Sequence, residues 1–153
     1  MAIIRWQLTG EGPEGQLADA AHGMALVSEA IRFDATGPLL AAHEAGLVQM
    51  DRQAIDSLVA EHRRRLSWCL RLEQRLLAVS RWFDDVGITY LVVKGPAIAH
   101  LDEVDPANRT FVDIDLLIQA GDLERALQVL AERGAVRPYL ERRPGFDLSL
   151  IHI

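Results

Sequence analysis

The chain predicts an α+β fold, with N-terminal helices followed by a small β-sheet unit, and three observations carry this. Apolar residues recur at helical spacing up to about residue 85. The period then changes at Gly87, where two β-branched apolar runs, ITYLVV (88–93) and FVDIDLLI (111–118), read as strands. Between and after them lie turn residues and one further amphipathic helix.

Residues 1–16 read as a loose start punctuated by Gly10, Gly12, Pro13 and Gly15. A helical region, 17–86, follows. Its first helix spans 17–33, with Leu17, Ala21, Met24, Val27 and Ile31 on one side. The stretch Asp34 to Pro38 breaks the pattern, and a second helix runs from Pro38 to about Val48. Asp51 is placed to cap a long third helix ending near Asp85, with an apolar stripe of Ile55, Val59, Leu66, Cys69, Leu76 and Phe83. Trp68, Trp82 and Phe83 are expected in its core. Gly87 closes that helix, and 88–93 reads as a buried strand. Lys94-Gly95-Pro96 turns the chain into a short helix ending near Leu101, and 111–118 is the second strand. Helix 122–133 faces inward through Leu123, Ala126, Leu127 and Leu130, with Gly134 at the C-terminal cap position. Residues 135–140 suit a third strand.

The 153 residues suit one domain large enough to bury a core without staples. Cys69 is the only cysteine, which excludes an internal disulfide and a cysteine-based metal cluster. No apolar run approaches the roughly 18 residues of a membrane span, and no basic-then-apolar leader opens the chain. A cytoplasmic location is the expectation. The net charge of -6 argues against broad nucleic-acid binding driven by overall charge. Lys94 is the only lysine among 16 basic residues, which singles out a position where an ammonium is wanted or marks an accident of composition.

The chemistry concentrates between residues 94 and 115. Asp113 and Asp115 alternate with Ile114, so on a strand both point to one face with Cα atoms about 6.6 Å apart. Carboxylates so placed can converge on a divalent cation, and hard oxygen ligands favour Mg²⁺ or Mn²⁺. The same pattern also fits an edge strand with one solvent-facing acidic row. Gly95 permits close approach of backbone to a phosphate, the helix behind it offers free N–H groups, and Lys94 adds a point charge. Arg109 suits bidentate contact with a triphosphate, or a salt bridge to Asp113 or Asp115. The run Arg63-Arg64-Arg65 is either a phosphate contact or a solvated helix face. His22, His43, His62 and His100 lack metal-ligand spacing and read as surface or partly buried helix residues.

KGPAIAHL, then Arg109, then VDIDLLI, then Gly121-Asp122-Leu123 opening a helix resembles the uncharacterised nucleotidyltransferase family of bacteria, within the polymerase-β-like superfamily. The resemblance spans about residues 55–140. It implies a small mixed sheet flanked by helices, with residues 87–147 as a partial nucleotidyltransferase core. It further implies Mg²⁺ (or Mn²⁺) at Asp113 and Asp115, and an NTP, ATP above others, whose phosphates meet Lys94, Gly95 and Arg109. A nucleotidyl group would pass to an acceptor the sequence does not name. Three departures stand out. Pro96 occupies the position of a phosphate-binding Ser, the gap from Gly95 to Asp113 is long, and no later acid clearly supplies a third carboxylate, Asp147 being the one candidate. The alternative is a non-catalytic nucleotide-binding or regulatory module of the same fold, and a plainer one is a helical interaction domain on 17–85. The last six residues, LSLIHI (148–153), coincide with the translation of a transposase-type sequencing adapter. The expectation is therefore that 148–153 lies outside the native fold, that the sheet is incomplete, and that this chain is an inactive fragment of a longer enzyme.

Overall fold

The computed structural model describes residues 22–135 and the backbone of 150–152. The loose start at 1–16, the opening of the first helix, all but the first residue of the strand expected at 135–140, and Asp147 lie outside the described residues. Helices α1 (Gly23–Arg32), α2 (Thr36–Glu44) and the 34-residue α3 (Arg52–Asp85) precede strand β1 (Tyr90–Val93). Helix α4 (Gly95–Leu101) and a 3₁₀ turn (Pro106–Asn108) lead to β2 (Asp115–Ile118). A second 3₁₀ turn (Ala120–Asp122) opens α5 (Leu123–Glu132), and β3 (Leu150–His152) completes an α+β fold.

Helix α3 is the spine. Asp51 caps it by accepting a 2.7 Å hydrogen bond from the Ala54 N–H, leaving one fewer orphan donor in the first turn. It ends where Gly87 adopts φ 69° and Ile88 N–H reaches back to the Phe83 carbonyl at 2.9 Å, a closure a side chain at Gly87 would strain. Its buried line is Ala54, Leu58, His62, Cys69, Leu72, Val79 and Phe83. Of the expected stripe, Cys69 and Phe83 are fully buried, whereas Ile55, Val59, Leu66 and Leu76 sit on its flanks. Trp68 is 40% exposed and so is not core. Adjacent helical positions point about 100° apart, and Cys69 takes the inward one.

Two apolar clusters lie along this spine. One joins Val27, Ala30, Leu39, Ala42, Val48, Met50, Ala54 and Leu58 from the N-terminal helices. In α1 the buried side is Gly23, Val27 and Ala30, while Met24 and Ile31 are turned outward. Close approach decides this face, because a Cβ on Gly23 would stand 2.8 Å from that of Ala54. The other cluster packs α3 from Cys69 to Phe83 against Phe111, Ile114, Leu116 and Ile118, and against Ala126, Val129 and Leu130 of α5. Leu123 and Leu127 pack on its margin, so the inward side of α5 is the one its periodicity predicts.

The sheet order is β1-β2-β3 and both pairings are antiparallel, in place of the expected mixed sheet. A single seven-residue helix and a turn return the chain to a point opposite the end of β1, so Val93 pairs with Asp115 and β2 runs back down. Among the described residues β1 is an edge strand covered on one side: Leu91 is 62% exposed and its cross-strand partner Leu117 is 43% exposed, so it is not the fully buried strand expected. Residues 150–152, which the sequence sets outside the fold, pair their backbone with β2, Asp115 opposite His152. Among the described residues no helix is long and apolar enough to cross a membrane.

Candidate functional site

The turn after β1 holds the most constrained backbone near the site. Lys94 sits at φ 57°, ψ −141°, a region L-residues avoid, whereas Gly95 lies in ordinary helical conformation. The need for glycine at position 95 is instead one of space. A Cβ there would meet the Asp113 carbonyl at 3.1 Å and the Phe111 side chain at 3.4 Å. The first turn of α4 thus lies directly on the approach to β2, and the backbone next to Gly95 belongs to Asp113. Pro96 removes one N–H from a short first turn.

Lys94 Nζ donates to Asp115 Oδ2 at 2.8 Å, joining a largely exposed ammonium to a side chain only 7% exposed. That hydrogen bond, the charge of Asp115 and, more weakly, the charge of Asp113 hold the Lys94 ammonium above the ordinary lysine value. Burying a carboxylate without a partner is costly, so this contact accounts for Asp115 remaining in an otherwise apolar strand. Ile114, Leu116 and Ile118 fill the core side, and Asp115 and Leu117 occupy the outer side. Asp113, half-buried, precedes β2 and is not part of it.

Residues 111–114 are not strand because β1 ends at the Lys94 turn and leaves them no ladder. Helix α3 supplies the partners instead. Cys69 Sγ accepts from Phe111 N–H at 3.2 Å and donates to the Phe111 carbonyl at 3.3 Å. Burial pushes the thiol pKa up, which keeps the S–H available to donate. The neighbouring Trp68 Nε1 donates to the Val112 carbonyl at 3.2 Å. The sequence reading missed both; the available signal was that Trp68 and Cys69 are adjacent, so only one can face the core.

Arg109 follows the 3₁₀ turn, is exposed, and forms no ion pair among the described residues, so its alternative as a bridge to Asp113 or Asp115 is not what the fold adopts. The structure therefore brings Lys94, Gly95, Asp113 and Asp115 together and leaves Arg109 on the surface of the loop leading to them. Beside this loop a cleft of about 340 Å³ is lined by Asp34, Arg64, Arg65, Trp68 and residues 110–112. Its cations are compensated internally. Glu61 binds both arginines, and Arg65 also reaches Asp34 and the Ile31 carbonyl. Of the Arg63-Arg64-Arg65 run, two members thus serve the fold.

His62 is buried and shares a 3.1 Å hydrogen bond with Thr36 Oγ1, more enclosed than a surface or partly buried helix position. His100 on α4 contacts Glu73 of α3 at 2.8 Å.

Among the described residues no group of three or more His, Cys, Asp or Glu is arranged to hold a metal. Mg²⁺ does not require one, since it is commonly held by one or two carboxylates together with substrate phosphates. Asp113 and Asp115 are the two carboxylates the fold brings near the Lys94 turn for such a partial set.

A family model described as an uncharacterised nucleotidyltransferase matches residues 31–146. The chain belongs to this family. The match takes in α2, α3, the Lys94 turn, both acids and α5, and reaches only the last two residues of α1. No curated protein and no solved structure matched the chain.

Proposed function

We propose that this nucleotidyltransferase-family chain binds an NTP, with ATP the first choice, together with Mg²⁺ or Mn²⁺, and moves a nucleotidyl group to an acceptor hydroxyl. The observation that carries the reading is the pairing of Lys94 with a buried Asp115 at a strained turn, with Asp113 close enough for its charge to be felt there. Strain of this kind persists where surrounding structure over-determines it, and it concentrates at functional sites. Asp113 and Asp115 would hold the cation. Lys94 would exchange its carboxylate for the incoming phosphates and Arg109 would close on them from the loop, while Gly95 keeps the turn packed on the Asp113 backbone. The cation, when bound, supplies Lewis-acid stabilisation of the phosphate oxygens. The acceptor oxygen then attacks the α-phosphorus in line, the bond to the bridging oxygen breaks, pyrophosphate departs, and the acceptor proton passes to solvent or a base. Two carboxylates also suffice for binding without turnover, so a nucleotide-binding module is the second reading.

Calorimetric titration of ATP with Mn²⁺, paired with a label-transfer assay using α-phosphorus-labelled ATP, tests both. Wild type should bind, Asp113→Asn with Asp115→Asn should lose metal-dependent binding, and Lys94→Ala should weaken it about tenfold. Binding without label transfer selects the module. Equal affinity in wild type and the double variant would sink the assignment.

A further inference from the structure

We infer that Trp68 and Cys69 of α3 are positioning residues for Asp113. This rests on the assignment of Asp113 to the metal made above, but concerns residues outside the site. Among the described residues, 111–114 approach β2 without a strand ladder, and side chains partner three of their backbone groups. Two consecutive α3 residues provide them, on two consecutive residues of the loop. Cys69 engages both the N–H and the C=O of Phe111, and Trp68 engages the Val112 carbonyl. Asp113 is the next residue along, and the Phe111 side chain and Ile114 anchor either end of the segment in the core. On its other side the Asp113 carbonyl lies against Gly95. The backbone leading into Asp113 is thus held between the spine helix and the Lys94 turn, and these two side chains form the α3 side of that clamp.

A displacement of about 1 Å at a reacting centre is already costly, so a loosened clamp should be read in metal affinity before it is read in folding. The test uses the 153-residue chain carrying Trp68→Phe, Cys69→Ala or Cys69→Ser, with Trp82→Phe as a control on the same helix. Three measurements are taken: amide hydrogen exchange, Mn²⁺ binding by electron paramagnetic resonance, and metal-free ATP binding by calorimetry. Trp68→Phe keeps an aromatic ring and removes the N–H donor. It should speed exchange of the 112–114 amides about tenfold relative to α5 and raise the half-saturating Mn²⁺ concentration several-fold, with metal-free ATP affinity within twofold. Cys69→Ala should act likewise, and Cys69→Ser, which keeps a donor and an acceptor, should restore most of the loss. Trp82→Phe should leave all three readouts unchanged. Unchanged exchange and unchanged Mn²⁺ affinity in Trp68→Phe and Cys69→Ala overturn the inference, as does a loss that Cys69→Ser fails to restore while the fold is intact. Absence of Mn²⁺ binding in wild type overturns the metal assignment instead. Exchange at 112–114 then decides by itself whether the two side chains hold the segment.

Discussion

Glu61 sits one turn from the cleft between two arginines, and its carboxyl is held down to about 2 from an ordinary 4.5. The hydrogen bond from Arg64 is the largest cause, Arg65 adds to it, and burial works against both. A carboxyl whose folded value lies below its unfolded value stabilises the fold above the unfolded value and loses that contribution as pH falls through the folded one. The window is therefore from about 4.5 down to about 2. His62 acts in the same direction by another route. Burial holds its imidazole below 6.5, so the unfolded chain takes up that proton first and stability declines as pH drops below 6.5. Melting temperature measured against pH should show a two-stage acid limb. Glu61→Gln should flatten the lower stage and leave the upper one, and an unaltered lower stage in that variant would refute the pairing as its cause.

At the scale of elements, the loop carrying Arg109 is docked on α2 through Gly37, where an added Cβ would stand 2.4 Å from the Asn108 carbonyl oxygen. That neighbour is backbone and has little freedom to yield, so Gly37→Ala should destabilise by about 2 kcal/mol, in the range of overpacked contacts. Urea unfolding measures it, and a cost below about 0.5 kcal/mol would show that the docking is loose. No sequence pattern signals this contact, because it joins residues 37 and 108. What the sequence did reveal was local: the Asp51 cap, the end of α3 at Gly87 and the inward side of α5. What escaped it depends on distant neighbours. β1 and β2 are shorter than their apolar runs because strand length is set by the partner, and only Tyr90–Val93 and Asp115–Ile118 face each other. Gly95 was read for its approach to a ligand, yet the space it leaves is taken by the Asp113 carbonyl. The positive φ falls on Lys94, which no spacing rule would select.

Across the whole molecule, Asp115 and the exposed leucines of the sheet lie on the same outer side of the strands. Val93 pairs with Asp115, and two residues along Leu91 pairs with Leu117, both leucines well exposed. Neither leucine belongs to the buried cluster beneath the sheet, so neither should contribute much to folding. Exposed apolar cross-strand pairs on an edge strand favour association between chains. Leu91→Thr with Leu117→Thr keeps β-propensity and removes apolar surface. The double variant should keep its melting temperature within a few degrees and stay dispersed at concentrations where wild type self-associates, as followed by light scattering. A large fall in melting temperature would instead place these leucines under a covering segment. In that case the face beside Asp115 is closed in the native chain, and the nucleotide must enter from the side of the Lys94 turn.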